Sequence, residues 1–350
     1  MIALPDVDEE YLIDELVALL EIPSPTGCTE EAFSYLEGIL GDIPELSLQR
    51  TPKGTLTALW EGEDEEGGFR GLTVHLDTLG AMVKEVKSNG RLKITPLGGF
   101  AWNTIEGEGC HVRTSSGAEI PGSILLTKAS GHVYGKEVSS TERNEDTLEV
   151  RLDLRSRSAE ETREAGIEVG DFVFFTPRVE CHQGFIRSRH LDDKAGVACL
   201  LAAIKSLQKS DRKPRRTTVF HFSNYEEVGH GAAAGFPAEL EELVAVDMAA
   251  VGEGQQSDEF RATLCVKDSR GPYHQGLNQR LRALADSYQI PYCLDIYPHY
   301  GSDGEAFWRA GGEVAVALIG PGVDASHNYE RTHQEALLAT ARWILAYLLN

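Results

Sequence analysis

Apolar residues recur at helical spacing over 8–22 (DEEYLIDELVALLEI), and Pro23 and Pro25 end that run. A second amphipathic helix is predicted from Thr29 to about Leu40, with Thr29 as N-cap and an acidic pair in its first turn. Strand-like runs follow at 46–50, 55–60 and 70–76, the last ending on His75. Between about Gly80 and Glu180 the texture changes to short alternating runs broken by Gly, Ser, Asn and Pro, with one short helical stretch around 158–165. Such close-set strands predict a small β-barrel or sandwich. Beyond it, helices are predicted at 193–207, near 231–241, at 276–288, 302–310 and 334–349. Strands are predicted between them at 217–223, 242–248, 261–267, 292–296 and 313–319. The pattern is that of an α/β sandwich with a largely mixed or parallel sheet.

The β-rich stretch interrupts this α/β pattern. The expected organisation is therefore a discontinuous α/β catalytic domain, 1–79 and 184–350, with an inserted β domain at 80–183. A length of 350 residues accommodates two domains, and 41% hydrophobic with 25% charged residues describes an ordinary globular chain. The net charge of −22 argues against nucleic acid or an anionic membrane as partner. Six scattered cysteines form no CxxC pair, and no apolar run approaches the roughly 18 residues a membrane span needs. The N-terminal stretch lacks a basic segment followed by an apolar core, so a reduced, cytoplasmic setting is expected.

Candidate chemistry gathers at the ends of the apolar runs. HLDDKAG (190–196) opens an apolar helix, where Asp192 and Asp193 could act as simple caps. Four further segments carry metal-type ligands: VHLD (74–77), NYEEVG (224–229), AVDM (245–248) and ASHNYERTH (325–333). An Asp able to bridge, with two His, a Glu and a further Asp, makes the ligand set of a two-metal hydrolase. His75 and Asp77 lie two apart, so the Asp77 side chain is expected to hydrogen-bond and orient the imidazole. The adjacent Glu226 and Glu227 point in different directions and can divide labour between binding metal and accepting a water proton. Asp247 follows LVAV, where a buried carboxylate needs a partner. His327 is preferred as the last ligand, with His333 in the same loop as its competitor.

Taken in order, VHLDTLGAMV, HLDDKAG, EEVGHG, AVDM and the late His resemble the co-catalytic metallopeptidase family of glutamyl and deblocking aminopeptidases, including the tetrahedral TET particles. LLEIPSPTG near the start, LGG at 97–99 and IEVGDFV at 167–173 extend the resemblance over nearly the whole chain. The resemblance implies a three-layer α/β/α, phosphorylase/hydrolase-like catalytic domain with an inserted β-barrel or PDZ-like domain used in oligomerisation, from dimer up to dodecamer. It implies two divalent ions, zinc first with cobalt or manganese as alternatives. One is held by His75 and Asp247, the other by Glu227 and His327, and Asp192 bridges. Glu226 is implied as general base and acid, Asp77 as orienter of His75, and the Asp192–Asp193 peptide as cis.

The sequence departs from the family pattern at His230, beside the EEVG glycine, and in SHNYERTH, where a tyrosine-containing H-S/T-P context is usual. That segment and SRHLDDKAGVA resemble a branch associated with the osmoprotectant N-acetylglutaminylglutamine amide. The expected activity is removal of N-terminal residues from peptides. The alternatives are an amidase or deacylase acting on a small acylated dipeptide in osmolyte metabolism, and a non-catalytic peptide-binding protein on the same fold.

Overall fold

The computed structural model describes residues 2–64 and 67–350. The Asp8 carboxylate accepts from the Tyr11 N–H and caps α1 (Glu9–Glu21), which buries Leu12, Leu16, Leu19 and Leu20. After the prolines, α2 (Glu30–Gly41) buries Phe33, Leu36 and Leu40. Then come β1 (Leu46–Arg50), β2 (Leu56–Trp60) and β3 (Phe69–His75). The alternating region supplies β4 (Gly80–Val86), β5 (Leu92–Leu97), β6 (Gly109–Arg113) and β7 (Glu119–Leu126). Two one-turn helices, α3 (Gly131–Tyr134) and α4 (Glu137–Ser140), precede β8 (Leu148–Leu152), α5 (Ala159–Glu164) and β9 (Phe172–Phe175). The six strands close in the order β4-β5-β8-β7-β6-β9 around their own core, which includes Ile94, Val112, Val150 and Val173. Closure pairs every strand on both sides and leaves no open edge.

The chain returns through β10 (Glu180–His182) and β11 (Phe185–Ser188) to α6 (Leu191–Lys209). Sixteen residues of α6 are buried, so it is apolar nearly all round, as a central helix must be. Buried within it, the Lys194 ammonium donates to the Leu19 and Ile22 carbonyls and closes the C-terminal end of α1. β12 (Thr218–Ser223) follows α6, then β13 (Leu240–Val246), β14 (Ala249–Val251), β15 (Ala262–Lys267) and α7 (Gln275–Ser287). β16 (Tyr292–Ile296), α8 (Asp303–Arg309), β17 (Ala315–Asp324), β18 (Glu330–His333) and α9 (Gln334–Leu348) complete the chain.

Twelve strands form one mixed sheet whose main path runs β1-β2-β12-β3-β13-β17-β18-β11-β10. The centre is parallel: β12, β13 and β17 all run with β3. Alternation along these strands sorts side chains into layers. Val244, Val246, Ala317 and Ile319 face α1, α2, α6, α7 and α9, whereas Leu243, Ala245, Val316 and Leu318 face Phe307 and Trp308 of α8. The expected three-layer α/β/α architecture is thus present. At the base of the sheet, buried Arg70 pairs with Glu242 at 2.9 Å and donates to the Tyr347 carbonyl, tying β3 to β13 and α9. Breaking such a buried pair by removing one partner costs about 3–5 kcal/mol.

Two predicted elements differ. Instead of a helix over 231–241, one 3-10 turn at Gly231–Ala233 gives way to β13. Gly235, at φ +104°, and Pro237 stop any helix there, and Leu240-Glu-Glu-Leu pairs with β3 and β17. The strand predicted at 313–319 continues through Gly320-Pro321-Gly322 to Asp324. A Cβ at Gly320 would lie 1.7 Å from the Asp247 carbonyl oxygen, so only glycine lets β17 pass this close.

Candidate metal centre and active site

β3 ends on His75, β13 ends one residue before Asp247, and Glu226 and Glu227 follow β12 by three and four residues. The parallel strands thus deliver their polar residues to one edge, the C-terminal edge where open α/β sheets build sites. Asp192 comes from the start of α6, where Asp192 and Asp193 depart from helical dihedrals. The Asp192–Asp193 peptide is cis, as the family resemblance implies. His327 comes from the β17–β18 turn, with φ at +63°.

Seven residues singled out in the sequence come together. His75 Nε2 lies 3.0 Å from Asp192 Oδ1, 3.8 Å from Glu226 Oε2 and 3.9 Å from Asp247 Oδ1. On the other side of Asp192, His327 Nε2 lies 3.3 Å from Oδ2, and 3.6 Å from Glu227 Oε2. Two clusters result, His75–Asp192–Asp247 and Asp192–Glu227–His327, each with ligand atoms within 4.8 Å of one another and with Asp192 in common. His333 stands apart: its ring packs edge-on against Phe185, with Nε2 3.3 Å from the Gln183 carbonyl. His230, the departure beside the EEVG glycine, stacks on Tyr225 and is absent from both clusters.

The imidazoles are set in the same way. His75 Nδ1 donates to the Asp77 main-chain carbonyl at 2.9 Å, and His327 Nδ1 donates to the Gly99 carbonyl at the barrel end. A carbonyl can only accept, so each Nδ1 keeps a proton, and each Nε2, the nitrogen left to face a metal, is directed at Asp192. Here the structure corrects the expected role of the Asp77 side chain. The strand ends at His75 and the chain turns, leaving the Asp77 carboxylate 3.9 Å from the ring. That carboxylate instead accepts from the Thr26 hydroxyl at 2.7 Å, from Glu226 N at 3.1 Å and from Glu227 N at 3.4 Å. It holds the loop that carries both glutamates.

Other residues in the assembly had no signal in the sequence beyond their polarity. Glu330, 1% exposed, accepts from Asp192 N at 3.2 Å and from His327 N at 3.1 Å, joining two candidate ligands through their backbones. Asp303, after the helix-capping Ser302, accepts from Ala232 N at 2.7 Å and from the Ser223 hydroxyl, below the glutamate loop. A Cβ at Gly98, in the LGG segment, would sit 3.3 Å from Glu227 Cβ, which brings the barrel end against the site.

Electrostatics favour cations here. Burial pushes Glu227 up to about 8 and Asp247 up to about 7, and it raises Glu226 well above the carboxylate range. Burial would lower His327, but Asp192 and Glu227 overcome it and hold the imidazole up to about 10. Burial would likewise raise Asp192, yet hydrogen bonds from His327 and His75 keep it below its ordinary value. Buried Glu227 Oε1 and Asp247 Oδ1 have no hydrogen-bond partner among the described residues. Unpaired buried carboxylate oxygens beside imidazoles whose Nδ1 is tied to a carbonyl suit divalent metal ions of the N/O type, which displace the Nε2 proton. The site opens into a cavity of about 650 Å³ lined by Asp192, Glu226, Glu227, Asp247 and His327, among others.

Residues 54–343 match the model of a family described as M42 glutamyl aminopeptidase. A protein of Bacillus subtilis (strain 168) with the name "Putative aminopeptidase YhfE" is 49% identical over 338 residues, 96% of each chain. Among solved structures, the aminopeptidase APDkam598 from the archaeon Desulfurococcus kamchatkensis superposes with a TM-score of 0.86 at 21% identity, covering 97% of this chain and 95% of that one. The dodecameric PhTET1-12s superposes with a TM-score of 0.84, also at 21% identity, covering 97% and 99%. The two superpositions establish a shared fold.

Proposed function

From the premise that this chain belongs to the M42 glutamyl aminopeptidase family and is a peptidase, we propose that it is a two-metal aminopeptidase that removes N-terminal residues from peptides. The observation that supports this most is the pair of clusters sharing Asp192 at the mouth of the cavity. In this reading His75 and Asp247 would hold one divalent ion, Glu227 and His327 would hold the other, and Asp192 would serve both. Zinc is the first expectation, and an N/O donor set also accepts cobalt or manganese. When bound, the ions supply Lewis acidity toward the scissile carbonyl and the attacking water.

The chain's own residues do the rest. Glu226, with Oε2 at 3.8 Å from His75 Nε2 and on the cavity wall, takes the proton from water and gives it to the departing amine. Asp77 fixes the Glu226 and Glu227 main chain, and its carbonyl orients His75. Glu330 keeps Asp192 and His327 in register. The free α-amine of the substrate is matched by the carboxylate-rich wall, which confines cleavage to the N-terminal residue.

We further propose that the barrel from Gly80 to Phe175, within the expected 80–183 insert, forms a distinct unit used in self-assembly; β10 at the end of that insert belongs to the large sheet. The six-stranded barrel has its own core, and solved structures sharing the fold include a dodecamer and a particle described as a tetrahedron or octahedral shell. No helix among the described residues is long and apolar enough to cross a membrane. The six cysteines are free thiols, which suits the reducing cytoplasm.

Amine release by metal-loaded protein tests the function, with unblocked tetrapeptides, N-acetylated peptides and glutamine-containing dipeptides as substrates. Release of free N-terminal residues from unblocked peptides alone is expected. Turnover confined to acetylated or glutaminyl dipeptides would instead make the protein a small-amide hydrolase.

A further inference from the structure

The cavity beside the metal ligands has two kinds of wall. One is apolar, built from Met248, Ala250, Val251 and the rings of Tyr297 and Tyr300. Both phenol groups are engaged in the protein, Tyr300 donating to the Met248 carbonyl at 2.9 Å and Tyr297 bonding Ser257, so what they offer a ligand is ring surface. The other wall is acidic. Beyond the candidate ligands and Glu226, its charged residues are Glu253 and Glu305, and no Lys or Arg lines it among the described residues. His299 and the ligand His327 are its basic side chains.

Glu305 lies on α8 with its side chain 13% exposed. Its Oε1 is ion-paired with Arg270 Nε at 3.1 Å and lies 3.8 Å from Arg309 Nη1, hydrogen-bonded to neither; both arginines are mostly exposed, at 61% and 55%, and screen the charge only in part. Its Oε2 has no hydrogen-bond partner among the described residues. That oxygen lies over the cavity-lining loop of His299–Ser302, so close that a Cβ at Gly301 would sit 2.9 Å from it. A long aliphatic stem could lie along the apolar wall with a cationic head at this carboxylate. An acidic side chain would meet like charge, with no Lys or Arg in the lining to receive it and only the imidazoles of His299 and of the candidate ligand His327 nearby.

We infer that this cavity receives the substrate's N-terminal side chain, prefers Lys or Arg, rejects Asp and Glu, and that Glu305 sets this preference. The inference rests on the aminopeptidase reading. Its test is kcat/KM of the metal-loaded protein on tripeptides differing only in an N-terminal Lys, Leu or Glu. Lys is expected to exceed Glu by at least about 100-fold, and Glu305→Gln to lower the Lys-to-Leu ratio about tenfold. Gly301→Ala, which displaces the carboxylate without removing it, should lower the same ratio. Calorimetric binding to Glu226→Gln protein should show the Lys tripeptide tighter than the Glu tripeptide, independently of turnover. Cleavage with Glu equal or preferred, or a Lys-to-Leu ratio unmoved in both variants, overturns the inference and leaves the aminopeptidase standing. No cleavage of any tripeptide overturns the aminopeptidase reading and this inference with it.

Discussion

Replacing Asp77 by Asn separates the two ways in which this residue could serve the site. The carboxylate is 0% exposed and receives three hydrogen bonds, from the Thr26 hydroxyl, Glu226 N and Glu227 N, while only its main-chain carbonyl touches the His75 ring at close range. Asn preserves the shape, removes the charge and turns one acceptor into a donor. The Thr26 hydroxyl can reverse and accept, but an amide N–H of the glutamate loop cannot. Hydrogen bonds to charged groups contribute about 1.5–3 kcal/mol each, so losing one and weakening another costs the loop about 2–3 kcal/mol. At about 1.4 kcal/mol per factor of ten, and with Glu226 carried on that loop, kcat should fall about 100-fold. Metal content, measured by elemental analysis at saturating metal, should stay near its wild-type level, because the carbonyl that orients His75 is unchanged and the bond from Glu227 N, at 3.4 Å, is the longer of the two loop contacts. The assay is kcat on an unblocked tetrapeptide at saturating metal, with Thr26→Val expected to follow more weakly. Loss of metal with the rate per bound metal intact would refute the loop-clamp reasoning and return the carboxylate to the imidazole.

Other consequences can be checked separately. Glu330→Gln keeps one acceptor for the Asp192 and His327 N–H groups, and should weaken metal binding about 10- to 100-fold in a chelator competition. His327→Ala should remove one metal per chain, whereas His333→Phe, which extends the aromatic packing against Phe185 and Phe260, should keep both; equal metal loss would show that the loop presents the other histidine. Gly320→Ala places a methyl group 1.7 Å from the Asp247 carbonyl, so a drop of several degrees in Tm is expected, with metal affinity falling as Asp247 is displaced.

The parts of the chain legible in advance were those where one periodicity governs a long stretch and burial follows it. α1, α6, α7 and α9, with β12 and β15, fall within a few residues of their predicted spans. The residues that converge at the centre were visible because each ends an apolar run, and parallel strands deliver such ends to a single edge. What stayed hidden depends on contacts between distant segments. The destination of the Asp77 carboxylate is set by where β3 stops and by a loop 149 residues on. Glu330 in SHNYERTH reads as one polar residue among several until β18 pairs with β11 and turns it inward. The 231–241 stretch carries helix-forming residues, but Gly235, Pro237 and the pairing of β13 with β3 and β17 outweigh local propensity. Gly99 donates no side chain at all; its carbonyl sets a histidine tautomer from the end of a barrel strand.

The two ion sites are proposed to share Asp192 and act together, a requirement for both ions. The most direct test is to titrate a divalent ion, zinc or cobalt, into metal-free protein while following release of the N-terminal residue from an unblocked tetrapeptide. Turnover should rise with occupancy and saturate at two ions per chain, and Glu226→Gln should bind the same two ions with almost no turnover. Turnover that persists in the metal-free protein, or that saturates at one ion per chain, would contradict the account.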